Sequence, residues 1–124
     1  MNILIDSDIL IEVLRRRDEI LIEKWLRLAE SADVPMCTPV SVCELWHGAR
    51  PSEHVVIQNL FDALLCVQLD EKTGRLAGDY MQRYSKSHSL ELADALIAAA
   101  AVRHEASLWT RNRKHYPMED IHFY

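Results

Sequence analysis

Three acidic residues occupy apolar settings where a soluble chain has little ordinary use for a charge. Asp6 closes the run Ile3-Leu4-Ile5 and is followed by Ser7-Asp8 and a second apolar run, Ile9-Leu10-Ile11. Glu44 lies in Val40-Ser41-Val42-Cys43-Glu44-Leu45-Trp46, and Asp94 in Leu92-Ala93-Asp94-Ala95-Leu96-Ile97. Taking an ionised carboxylate out of water is costly unless it is paired. Three that converge also repel, which raises their pKa values or calls in a hard divalent cation bound through carboxylate oxygen. The pattern predicts an acidic site of the magnesium type, with manganese as a substitute.

Asp6 and Glu44 also have plainer uses, while Asp94 is harder to explain away because aspartate is a mediocre helix former in a helix with no polar face. Asp6, Ser7 or Asp8 can cap the helix that follows, and Asp8 is read as a cap or a supporting group. Ser41-x-x-Glu44 fits a capping box, although Thr38-Pro39 sets the helix start earlier. Glu91 lies one turn before Asp94 on the same side and either supports it or substitutes for it. A last polar cluster runs from Thr110 to Tyr116. There Thr110 and Asn112 are expected to face the acids, while Arg111, Arg113 and Lys114 meet phosphates. The six histidines show no HxxxH or HExxH spacing and read as structural or surface groups.

These residues need elements to carry them. Asn2–Ile5 reads as a buried strand, and Ile9–Arg17 as a helix ending in a basic run suited to the negative dipole end. From Glu19, Leu21, Trp25, Leu28 and Ala32 follow helical spacing. Pro35–Thr38 is a short strand, and Thr38-Pro39 opens a helix with Glu44 in its second turn. A helix over Glu53–Leu65, a strand over Cys66–Leu69 and a helix faced by Thr73, Leu76, Ala77, Tyr80 and Tyr84 follow. Glu91–Glu105 reads as a buried helix, Ser107–Thr110 as a fourth strand and Ile121–Phe123 as a fifth. Short strands separated by helices give an α/β domain with a mostly parallel sheet. Its ligand crevice lies beyond the strand C-termini, where Asp6 falls.

The 124 residues are expected to form one domain, and 49% hydrophobic with 27% charged is ordinary for a soluble protein. A net charge of −5 excludes a global basic field. Cys37, Cys43 and Cys66 have no CxxC spacing and read as small core residues in a reducing cytoplasm. The first residues lack the basic region of a signal peptide, and the Ala-rich run from Ala93 to Val102 is too short to span a bilayer.

Four segments together carry a resemblance. Ile-Leu-Ile-Asp6-Ser-Asp-Ile-Leu, Val-Ser-Val-Cys-Glu44-Leu, Ala-Asp94-Ala-Leu-Ile-Ala-Ala and Leu-Trp-Thr110-Arg-Asn112 resemble, in this order, the PIN-domain nucleases, and among them the small bacterial VapC-type toxins. The resemblance implies a three-layer α/β/α sandwich with four or five strands and a magnesium-dependent endoribonuclease leaving 5′-phosphate products. It further implies a VapB-like antitoxin that blocks the acidic cleft, and a homodimer. Asp6, Glu44 and Asp94 match the family's metal-site acids. Many relatives carry a fourth acid where this chain has Asn112, and commonly an Asp near His115, which questions a second metal. Trp46 and Tyr116 are candidates to stack an extruded base.

Two rival readings follow. Ile-Asp6-Ser-Asp8-Ile also looks like the first motif of haloacid-dehalogenase-type phosphatases, with Asp6 as nucleophile and Asp8 as acid/base. Alternatively, a PIN-like domain binds RNA or protein without cutting, which the missing fourth acid supports.

Overall fold

A computed structural model describes residues 1–124. Its centre is a parallel sheet of β1 (Asn2–Ile5), β2 (Val34–Cys37), β3 (Leu65–Cys66) and β4 (Ala106–Trp109), in the order β3-β2-β1-β4. The chain steps outward from β1 through β2 to β3, then crosses to the other side of β1 for β4. The direction of winding therefore reverses at β1, and the C-terminal ends of β1 and β4 form a crevice. Ile5 lies opposite Trp109 there, and the Asp6 N–H donates to the Trp109 carbonyl at 3.0 Å.

Alternation along the strands sends successive side chains to opposite faces. Ile3, Ile5, Cys37 and Trp109 pack under α1 (Ser7–Arg15), α2 (Glu19–Glu30), α3 (Pro39–His47) and α4 (His54–Asp62). Leu4, Met36 and Leu108 pack under α5 (Glu71–His88) and α6 (Leu92–Arg103). The result is the expected three-layer sandwich. Leu4, Leu10 and Ile3 are wholly buried, each contributing about 2 kcal/mol of apolar transfer.

Several expected boundaries move. The first helix begins at Ser7 and ends at Arg15; Arg16 turns left-handed (φ 53°) and Arg17 swings back onto Glu12 at 2.6 Å. The third strand is Leu65–Cys66, not Cys66–Leu69: after the Val67 N–H reaches the Cys37 carbonyl, the chain leaves for the Asp70 cap of α5. The fifth strand shrinks to one bridge between Leu108 and Phe123. Asp62 ends α4 earlier than expected, and its start is a 3-10 turn at Pro51–Glu53. Two cysteines depart from the core reading: Cys37 is buried, but Cys43 and Cys66 are exposed, and none is in a disulfide. Cys66 opposes Cys37 across the β2–β3 register; burial, reinforced by Cys66, pushes the Cys37 thiol up to about 12. No helix is long and apolar enough to cross a membrane.

Candidate active site

Asp6 leaves β1 as the N-cap of α1, with extended backbone and its Oδ1 accepting the Ser7 N–H at 2.7 Å. Capping and site formation thus use the same carboxylate. Its Oδ2 accepts two hydroxyls, Tyr116 at 2.8 Å and Thr110 at 2.9 Å. Thr110 follows β4 directly, and Tyr116 ends a 3-10 turn at Arg113–His115. Burial, then the Asp6 charge, pushes the Tyr116 phenol far above its ordinary range, so it remains a donor.

Glu44 approaches from α3. Thr38 caps that helix through Ser41 and Pro39 takes its first position, so the Ser41–Glu44 capping box is not made. Ser41 instead meets the Ser7 hydroxyl at 2.8 Å, and Ser7 donates to Glu44 Oε1 at 3.1 Å. Ser7 links the cap of α1 to Glu44. Burial raises the Glu44 pKa; the Ser7 hydrogen bond lowers it, and the charges on Asp6 and Asp94 raise it.

Asp94 comes from α6, which starts at Leu92 with Glu91 as N-cap, not at Glu91. Asp94 therefore lies in the first turn, where an acid suits the helix dipole. The Glu91 side chain is exposed and caps nothing. Burial and Asp6 raise the Asp94 pKa, while His115 and the Glu91 N–H lower it. His115 Nδ1 stands 3.9 Å from Asp94 Oδ2, which no histidine spacing in the sequence signalled. The available clues were its loop position near β4's end and the Asp that the resembled family commonly carries nearby.

Asp8 closes the back wall. Its Oδ2 accepts the Arg111 N–H at 3.0 Å, with the Thr110 hydroxyl oxygen 3.5 Å away and its proton on Asp6, and its Oδ1 is buried with no partner. Burial, then Asp6, raises its pKa. Asn112 donates its N–H to Thr110 at 3.1 Å, placing an exposed side chain next to the site. Of the three cations assigned to phosphate, Arg111 pairs with Asp18 at 2.6 Å and Glu12 at 3.5 Å. Arg113 lies over the Phe123 ring and reaches the Tyr124 carbonyl. Lys114 is exposed. Neither aromatic suits base stacking: Tyr116 is buried, and Trp46 is half-buried, edge-on to His54.

The structure brings the acids of β1, α3 and α6 close enough to perturb one another, with Thr110 and Asp8 behind them. As the side chains stand, no three His, Cys, Asp or Glu groups are gathered tightly enough to hold a metal ion. Ser7 draws Glu44 aside, and Asp94 faces His115. The donor set nevertheless fits a hard divalent cation: it is all carboxylate oxygen, mutually repelling, with a buried Asp8 oxygen lacking any partner.

Residues 3–120 match the family described as PIN domain. Ribonuclease VapC10 of Mycobacterium tuberculosis is 37% identical over 117 residues, covering 94% of this chain and 86% of that protein. Ribonuclease VapC19 of the same organism is 37% identical over 76 residues, 60% of this chain and 61% of its own. Among solved structures, DNA-bound VapBC from Salmonella typhimurium superposes with a TM-score of 0.83 at 15% identity, covering 100% of this chain and 97% of that one. VapBC-1 from nontypeable Haemophilus influenzae superposes with a TM-score of 0.81 at 21% identity, covering 100% and 97%. With the sheet order, the crevice acids and a family match across nearly its whole length, this chain belongs to the PIN-domain family.

Proposed function

We propose that this protein is a divalent-metal-dependent endoribonuclease, the toxin of a toxin–antitoxin pair working in the cytoplasm. The observation that carries the reading is the placement of Asp6, Glu44 and Asp94 at the crevice, the last two with pKa values raised first by burial and further by the Asp6 charge. The ribonuclease relatives supply the substrate class.

Asp6, Asp94 and Glu44 would hold the cation, magnesium or manganese. When bound, it lowers the pKa of an attacking water and polarises the scissile phosphate. Glu44, raised above an ordinary carboxylate and held by Ser7, accepts the water's proton. Asp8 and Thr110 fix the crevice wall, Asn112 offers an amide beside it, and Lys114 is the exposed cation for the RNA backbone. Water attack breaks the P–O3′ bond, giving a 5′-phosphate and a 3′-hydroxyl. Total RNA cut by the purified chain should therefore yield fragments that ligate directly through a 5′-phosphate. Fragments with 5′-hydroxyl and cyclic phosphate ends would contradict attack by water.

The phosphatase alternative loses its nucleophile. Asp6 accepts three hydrogen bonds that hold and quench it, and Asp8 is turned onto Arg111. An antitoxin is proposed because the superposed structures are VapBC complexes; inserting a cationic side chain among these acids would silence the site. Cleavage that is absent in the co-purified complex and returns on proteolysis of the partner would establish it; equal cleavage by both would remove it.

Metal binding should also show in stability. Glu44 and Asp94 have raised folded pKa values, so the stability they contribute is present below the unfolded pKa and lost as pH rises through the folded one. A cation reverses that loss by occupying the ionised acids. Magnesium at about 100-fold its Kd should add about 2.7 kcal/mol near pH 8 and much less near pH 4. A melting temperature unmoved by magnesium at pH 8 would count against the site.

A further inference from the structure

Asp6 is more heavily donated to than a metal ligand needs to be. An ionised carboxylate has about four lone-pair sites, two on each oxygen. Oδ2 receives the Tyr116 and Thr110 hydroxyls at 2.8 and 2.9 Å, which fills it. Oδ1 receives only the Ser7 N–H, leaving one position open. The Tyr116 ring is 3% exposed and belongs to the core shared with Leu108, Met118 and Ile121, so its hydroxyl is fixed. Thr110 is itself 7% exposed. The two donors approach Asp6 from the segment after β4 and hold its plane.

We propose that Tyr116 is a positioning residue that, together with Thr110, restricts Asp6 to binding a divalent cation through Oδ1 alone and thereby favours magnesium over calcium. The proposal rests on Asp6 being a metal ligand. Magnesium demands near-octahedral geometry from single, well-directed oxygens, whereas calcium accepts more ligands and bidentate carboxylates at longer distance. A carboxylate with one oxygen occupied cannot turn bidentate. Removing the phenol hydroxyl leaves Thr110 on Oδ2 but frees its second position, so that calcium can use both oxygens.

The test titrates magnesium alone and calcium alone into the full chain by calorimetry, for wild type, Tyr116→Phe and Thr110→Val. Tyr116→Phe keeps the ring that fills the core, and Thr110→Val keeps the side-chain shape while also removing the acceptor of the Asn112 N–H. Each variant should raise calcium affinity relative to magnesium by roughly tenfold or more, the scale of one charge-assisted hydrogen bond. A merely structural role would weaken both ions alike. If both folded variants keep the wild-type ratio, the positioning role is wrong while the metal site stands. If wild type binds neither ion, the metal-site reading itself fails. Should Tyr116→Phe unfold, Thr110→Val alone decides the question.

Discussion

Asp6→Asn is expected to abolish RNA cleavage, by about a thousandfold or more at saturating magnesium, without unfolding the protein. Asparagine is as good an N-cap as aspartate, so the Ser7 N–H keeps its acceptor. The Tyr116 and Thr110 hydroxyls can each rotate to accept from the new amide. What disappears is the negative charge that three donors hold at the crevice. Electrostatic and Lewis-acid assistance is worth several kcal/mol in the transition state, and about 1.4 kcal/mol is a factor of ten. Cleavage of a defined single-stranded RNA, with melting curves as the folding control, measures it. A folded Asp6→Asn variant with more than a tenth of wild-type activity would remove Asp6 from the chemistry.

Asp94→Asn should lose activity and gain stability. Asparagine keeps the shape of the side chain, while the charge that burial and Asp6 both oppose is gone. Asp94 has a raised pKa, so in wild type its contribution to folding falls as pH rises through that value. Near neutral pH, without metal, the variant should therefore melt higher, by about 4 °C if the relief is about 1 kcal/mol. The difference should vanish at a pH below the ordinary aspartate value of 3.8. Cleavage should drop by about a hundredfold or more, the range expected when a site exchanges stability for activity. A lower melting temperature at neutral pH would mean that Asp94 serves mainly as a helix-start acid.

The sheet and the acids were legible because they depend on local rules. An apolar run broken by a single Asp marks a strand leaving the core, and Thr38-Pro39 states a helix start outright. Other features depend on partners far along the chain. Nothing near Tyr116 announces that its hydroxyl will meet a carboxylate 110 residues away. The stacking role suggested for its ring fails because the ring fills the core. His115 reaches Asp94 only once α6 and the β4 loop are packed together. Arg111 and Arg113 read as phosphate ligands because charge in a loop carries no address; Asp18, Glu12 and the chain end take them instead. Strand ends moved for the same reason. Cys66 sits on an edge strand of two residues, exposed where hydropathy alone placed it inside.

The most direct test of the acidic crevice as a metal-dependent nuclease is cleavage of total RNA by the purified, antitoxin-free chain. It would be run with magnesium, manganese and chelator, beside Asp6→Asn and Asp94→Asn. The site described here predicts cutting with either metal, none in chelator, and cutting reduced at least about a hundredfold in either variant. Cutting that survives chelator or both substitutions would place the chemistry elsewhere. A folded wild-type chain that cuts nothing with either metal would contradict the nuclease reading and leave a binding domain.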